Sequence, residues 1–150
     1  MISMSADVFV DTNVIAYAFD QESPVKRRVA QELIGQADFV ISAQVLSELF
    51  VTLTHKLKQK VPAEVARQAI NELQVLRVID TTPALVLRAI DTSVRYQLSY
   101  WDALIIEAAL AAGCATLVTE DLTEGALYKG LRVVNPFGDQ PDATDHAEIG

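Results

Sequence analysis

Asp11, Glu48, Asp102 and Asp121 are the side chains whose type and placement point to chemistry. Carboxylates packed together repel one another and lose hydration, so they stay ionised as a group only if a cation neutralises them. Magnesium suits such a site. It prefers oxygen ligands in octahedral geometry, usually keeps several waters, and binds through few carboxylates plus substrate phosphate. A zinc site of the usual kind lacks ligands, because the chain offers only His55, His146 and one cysteine, Cys114. A hard metal can lower the pKa of a bound water, orient it for in-line attack and stabilise charge on phosphoryl oxygens; a second ion would stabilise the leaving oxygen.

The elements that must position these acids are visible as short runs rich in Val, Ile and Phe alternating with longer helical patterns. That is the order expected for a parallel sheet covered by helices. Five strands are expected, at Asp7 to Asp11, Asp38 to Ser42, Leu76 to Asp80, Ala115 to Thr119 and Leu131 to Asn135, with helices in the gaps. Helix starts are marked by Ser23 with Pro24, Ser42, Val61 with Pro62, Thr82 with Pro83, and Ser99 with Asp102. Gly113 stops the helix that begins at Ser99. Asp11 then closes the first strand, and Asp121 follows the fourth by about a turn. Glu48 lies in the second turn of the helix after the second strand, and Asp102 in the first turn of the helix leading into the fourth. A helix feeding a parallel strand runs back against it, so its start should lie at the strands' carboxyl edge, where open parallel sheets bind ligands.

With 150 residues, 51% of them hydrophobic, the chain can bury one core without metals or disulfides, and no repeat or Pro-, Gly- or Ser-rich linker divides it. Cys114 has no intrachain partner, and no basic stretch followed by an apolar run and a cleavage site stands at the N-terminus. A cytoplasmic protein is expected. Ala103 to Val118 is interrupted by Glu107 and Gly113 and falls short of the roughly 20 apolar residues a bilayer crossing needs, so it reads as a buried helix and a strand. The net charge of -8 argues at first against nucleic acid, whose sequence-independent binding comes from Lys and Arg neutralising phosphates. Asp139, Asp142, Asp145 and Glu148, however, fall in a stretch with no Lys or Arg, and a bound cation would change the balance again. The domain is therefore drawn at residues 1–137, and residues 138–150 as an acidic tail whose composition predicts disorder, with Phe137 and Ile149 as apolar residues that could dock.

Each acid also has an ordinary reading. Asp11 can cap the helix starting near Asn13. Ser99-x-x-Asp102 is a capping-box pattern, and acids favour a helix start through its dipole. Glu48 lies roughly opposite the stripe Leu46, Phe50, Leu53 and Leu57, which by periodicity makes it a surface acid. Asp121 can start a turn before Gly125. Lys26, Arg27 and Arg28, and the run His55, Lys56, Lys58 and Lys60, read either as RNA phosphate contacts or as solvated helix faces. Trp101 and the apolar residues Ala103, Leu104, Ile105, Ala108, Ala109 and Ala112 are expected to pack their helix into the core.

Four local patterns occur in order: Asp11-Thr12-Asn13 after a strand, Ser47-Glu48-Leu49 on a helix, Trp101-Asp102-Ala103-Leu104-Ile105 opening a helix, and Thr119-Glu120-Asp121-Leu122 after a strand. Together they make the chain resemble PIN-domain nucleases from about Val8 to Phe137, and among them the VapC toxins of bacterial toxin-antitoxin pairs. The resemblance implies an α/β three-layer sandwich with a central, mostly parallel five-stranded sheet flanked by helices. It also implies a magnesium- or manganese-dependent endoribonuclease, a homodimer, and a small antitoxin partner that blocks the cleft. Residue by residue, Asp11, Glu48, Asp102 and Asp121 match the catalytic acidic quartet, with Asp11, Asp102 and Asp121 as metal ligands. Asn13 and Thr119 match polar positions that line the site. Glu120 is a second candidate beside the fourth acid, and the family pattern of Thr, any residue, Asp favours Asp121.

Three other functions compete. A receiver-type signalling module also places magnesium in an acidic pocket, but it predicts adjacent acids after the first strand, an acceptor Asp after the third and a Lys near the fifth; only Asp80 fits. A haloacid-dehalogenase-type phosphatase needs a second Asp where this chain has Asn13. The third possibility keeps the fold without catalysis, as an RNA-binding or protein-binding module, and the intact acids argue against it.

Overall fold

The computed structural model describes residues 4–36 and 38–138. The expected tail lies almost wholly outside them, as do His146 and Ile149. Parallel strands β1 (Val8–Val10), β2 (Val40–Ser42), β3 (Arg77–Ile79), β4 (Thr116–Val118) and β6 (Leu131–Val134) fall inside the five expected runs. A sixth strand, β5 (Leu127–Tyr128), pairs antiparallel with β6. The sheet order is β3-β2-β1-β4-β6-β5.

Helices α1 (Thr12–Tyr17), α2 (Pro24–Ile34), α3 (Ala43–Val51), α4 (Ala63–Leu73), α5 (Pro83–Tyr96) and α6 (Tyr100–Ala111) flank the sheet, and a π-helical turn, Thr52–Lys56, prolongs α3. Their caps follow the sequence signals. Ser42, Thr82 and Ser99 accept hydrogen bonds from the amides of Val45, Leu85 and Asp102, satisfying donors a bare helix start leaves open. Gly113, at φ +77°, ends α6 in a Schellman turn: its amide donates to Leu110 O and that of Cys114 to Ala109 O.

β1 and β2 are buried at every position, as parallel strands covered on both faces must be. α6 is buried without a break from Ala103 to Ala109, which explains its nearly continuous apolar sequence. Within that run Glu107 is held by Thr92 Oγ1 at 2.6 Å and Lys129 Nζ at 2.8 Å, with Arg88 Nε at 3.7 Å. A charge so deep is tolerated because it is paired and hydrogen-bonded, and the pairing ties α5, α6 and the β5–β6 turn together. Phe137 is buried too, its ring 5.0 Å from that of Tyr17, so the apolar residue before the tail does dock. Among the described residues no helix is long and apolar enough to cross a membrane.

After β1 the chain first builds outward through β2 and β3, and later returns to place β4 on the other side of β1. The sheet therefore switches direction between β1 and β4. A crevice outside the carboxyl ends of the strands opens at such a point, and the residues that follow β1 and β4 line it.

Candidate active site

Asp11 leaves β1 and caps α1 at once. Its amide donates to Val118 O at 3.0 Å, which fixes it to the end of β4, and its Oδ1 accepts from the Thr12 amide at 2.7 Å. The capping reading is thus correct and incomplete, because Oδ2 faces a second set of donors: Thr119 Oγ1 at 2.9 Å and Asn13 Nδ2 at 3.3 Å. Only 5% of Asp11 is exposed. Burial pushes its carboxyl up to about 7; the Thr119 and Thr12 hydrogen bonds pull the other way, and the charges of Asp121 and Glu48 add to the rise.

Asn13 connects the two loops. Its Nδ2 lies 3.1 Å from Thr119 Oγ1 and 2.9 Å from Asp121 Oδ2, while its Oδ1 accepts from the Glu120 amide at 3.2 Å. Thr119 Oγ1 also accepts from the Asp121 amide at 3.1 Å. Glu48 is half-buried rather than a surface acid, and its Oε1 accepts from Thr12 Oγ1 at 3.0 Å. Asp102 stands at the third position of α6, half-buried. Burial raises its pKa, a hydrogen bond with Ser99 opposes the rise, and the charge of Asp121 adds to it.

All four acids line one cleft of about 870 Å³, together with Thr12, Asn13, Gln44, Lys56, Thr81 and Trp101. Glu120 is absent from that lining. Its carboxylate turns the other way, to Tyr17 OH at 2.5 Å and Lys26 Nζ at 3.1 Å. Asp121 is therefore the acid that reaches the cleft, and Glu120 supports it only through its backbone amide on Asn13.

Three side chains depart from expectation. Lys26 is neither a solvated charge nor placed to meet RNA: its side chain is only 12% exposed, paired with Glu120 and set over the rings of Tyr17 and Phe137. Trp101 does not pack into the core. It is 60% exposed and lines the cleft, because the continuous burial of α6 begins only at Ala103. Asp80 is exposed at the end of β3, an edge strand two places from β1, and it does not line the cleft, so the acceptor position of a receiver is not assembled. Gln44 gave no signal in the sequence, and Thr12 appeared there only as part of the Asp11-Thr12-Asn13 pattern, without a role of its own. Both are buried, and Gln44 Nε2 donates to Trp101 O at 3.1 Å.

The acids share a cleft without closing into a ligand shell. Among the described residues no group of three or more His, Cys, Asp or Glu side chains is gathered as a ready metal site, which is looser packing than the sequence implied. The donor set still fits a hard divalent cation. It is all oxygen, the charges of neighbouring acids add to the raised pKa of Asp11 and of Asp102, and magnesium fills its coordination shell mainly with water and substrate oxygens.

Similar folds occur in solved structures. A toxin-antitoxin complex from Klebsiella pneumoniae matches with a TM-score of 0.65 and 21% identity, over 86% of this chain and 97% of that one. VapC20 from Mycobacterium tuberculosis, a sarcin-ricin loop cleaving toxin, matches with a TM-score of 0.60 and 20% identity, over 73% and 86%. VapBC2 from Rickettsia felis, bound to a DNA fragment of its promoter, gives 0.59 and 24%, over 85% and 97%. These likenesses are of fold. No curated protein matches the chain. The sequence pattern of the PIN domain matches residues 8–123, which span the site from before Asp11 to beyond Asp121, and the chain belongs to the PIN-domain family, a family of nucleases.

Proposed function

We propose that this protein is a metal-dependent endoribonuclease and the toxin of a toxin-antitoxin pair, cytoplasmic, homodimeric and blocked by a small antitoxin protein. The observation that carries the reading is the delivery of four carboxylates from four separate elements into one cleft at the switch point of the sheet. The toxin-antitoxin assignment is supported by folds of the same kind in such complexes, and RNA as substrate by the loop-cleaving toxin among them.

Asp11, Asp102 and Asp121 would hold Mg2+ or Mn2+, directly or through water. When bound, the ion supplies positive charge to the phosphoryl oxygens and acidity to a nearby water. Asn13 and Thr119 keep Asp11 and Asp121 in register, so the carboxylates meet the substrate already oriented. Glu48, held through one oxygen by Thr12, would ligate the ion or orient the attacking water and accept its proton. The water oxygen bonds to phosphorus, the bond to the leaving oxygen breaks, and that oxygen takes up a proton. Lys56, the one cation among the described residues that lines the cleft, is available to a neighbouring phosphate. Purified protein incubated with RNA and magnesium should cleave it, and Asp11→Asn should not; cleavage no greater than that of the variant would remove the proposal.

A further inference from the structure

Trp101 is the only tryptophan in the chain and, among the described residues, the only aromatic residue that is exposed. Single exposed Val or Leu residues are ordinary on a protein surface. An exposed indole beside the acids of a cleft is different, because it offers a flat π-surface where substrate must lie. The ring is also held in place. It makes a T-shaped contact with Tyr100, centroids 5.0 Å apart and planes at 72°, and the Trp101 carbonyl is fixed by Gln44 Nε2.

Gln44 is itself 8% exposed, and its Oε1 is the one buried side-chain polar atom with no hydrogen-bond partner among the described residues. Buried polar atoms are nearly always paired, so the cleft wall beside the Trp101 backbone retains an acceptor in want of a donor. Asp102 follows Trp101 directly in the first turn of α6, so the indole and the proposed ion-holding carboxylate share one rigid support.

We propose that Trp101 is a stacking platform for one unpaired base of a single-stranded RNA, beside the phosphate to be cut, with Gln44 as a positioning residue that holds its backbone carbonyl. The inference rests on the nuclease reading and names the form of RNA the site takes. Bases stack on aromatic side chains with little regard to sequence, but only when they have left their own helix. A duplex keeps its base faces stacked and offers the indole only backbone and groove edges.

The single tryptophan makes the test direct, since all indole fluorescence comes from this position. Wild type and Asp11→Asn are titrated with a single-stranded oligoribonucleotide, its abasic counterpart and a blunt duplex of the same length. Cleavage of the single strand by wild type, Trp101→Ala and Trp101→Phe is measured alongside. Quenching by the single strand alone is expected in both proteins. Trp101→Ala should raise KM about 5- to 150-fold, the range for losing one base–aromatic stack, with kcat little changed, and Trp101→Phe should restore most of the loss. Equal quenching by the abasic strand, or cleavage by wild type with an unaltered KM in Trp101→Ala, overturns the platform and leaves the nuclease standing. Quenching without cleavage by wild type overturns the nuclease reading and keeps the platform. Neither quenching nor cleavage overturns both.

Discussion

The side-chain amide of Asn13 donates to the carboxylate of Asp121 at 2.9 Å, across 108 positions of sequence. Asp121 is exposed and follows the last residue of β4 by three, so little else fixes where its charge sits. Asn13→Ala should therefore release Asp121 while leaving it ionised. Losing a group that orients a metal ligand typically costs 10- to 100-fold in metal affinity or activity, and RNA cleavage with a parallel Mn2+ titration should show a drop of about that size.

Glu120 and Asp121 are neighbours with opposite duties. Glu120→Gln weakens a partly buried pair with Lys26 and should cost about 1–3 kcal/mol of stability, the range for a hydrogen bond to a charged group, with cleavage retained. Asp121→Asn should do the reverse. Thermal melting and cleavage rates on the two variants check both halves, and loss of cleavage in Glu120→Gln with Asp121→Asn still active would exchange the roles.

The buried carboxyl of Asp11 makes the metal-free protein sensitive to pH. Its folded pKa is raised from 3.8 to about 7, so the folded state holds this proton more tightly than the unfolded chain does. The stability this contributes is full below the unfolded value and is lost as pH rises through the folded one. In chelator, the melting temperature of wild type should fall more between pH 5 and pH 8 than that of Asp11→Asn. Added Mg2+ should offset the fall, because ligands must be deprotonated to bind it. Parallel curves for the two proteins would contradict this origin of the pH dependence.

Glu107 lies deep in α6 with three partners. Glu107→Ala leaves the Lys129 ammonium at a protein interior boundary without its carboxylate, and breaking a buried pair in this way costs about 3–5 kcal/mol. Denaturant unfolding should report a loss near that range. Lys129 is one-third exposed, so some of its charge can return to water, and the lower end is expected.

The sequence carried most of the scaffold because the signals concerned were local. Ser42, Thr82 and Ser99 announce their helices through side-chain oxygens that serve the nearest amides, and Gly113 stops α6 through a φ that other residues avoid. β5 was not legible. It has two residues, and its turn uses Lys129 and Gly130, both at positive φ, without the Asn-Gly or Asp-Gly pair that flags such hairpins.

At the site, order, spacing and the family resemblance singled out four acids that the fold does bring to one cleft, while their environment was not legible. Nothing in the sequence places Thr12 against Glu48 or turns Glu120 toward Lys26, since both contacts join segments that meet only in the folded chain. Trp101 was misread for the same reason. An apolar helix pattern says which residues avoid water, but not that its first turn lines a cleft.

The central claim is that Asp11, Asp102 and Asp121 share a hard divalent cation. Calorimetric titration of Mn2+ into wild type, Asp11→Asn and Glu120→Gln above pH 7 tests it most directly. Binding by wild type and Glu120→Gln, weakened at least about 10-fold in Asp11→Asn, is the predicted result; no binding by wild type, or equal binding by Asp11→Asn, would contradict it.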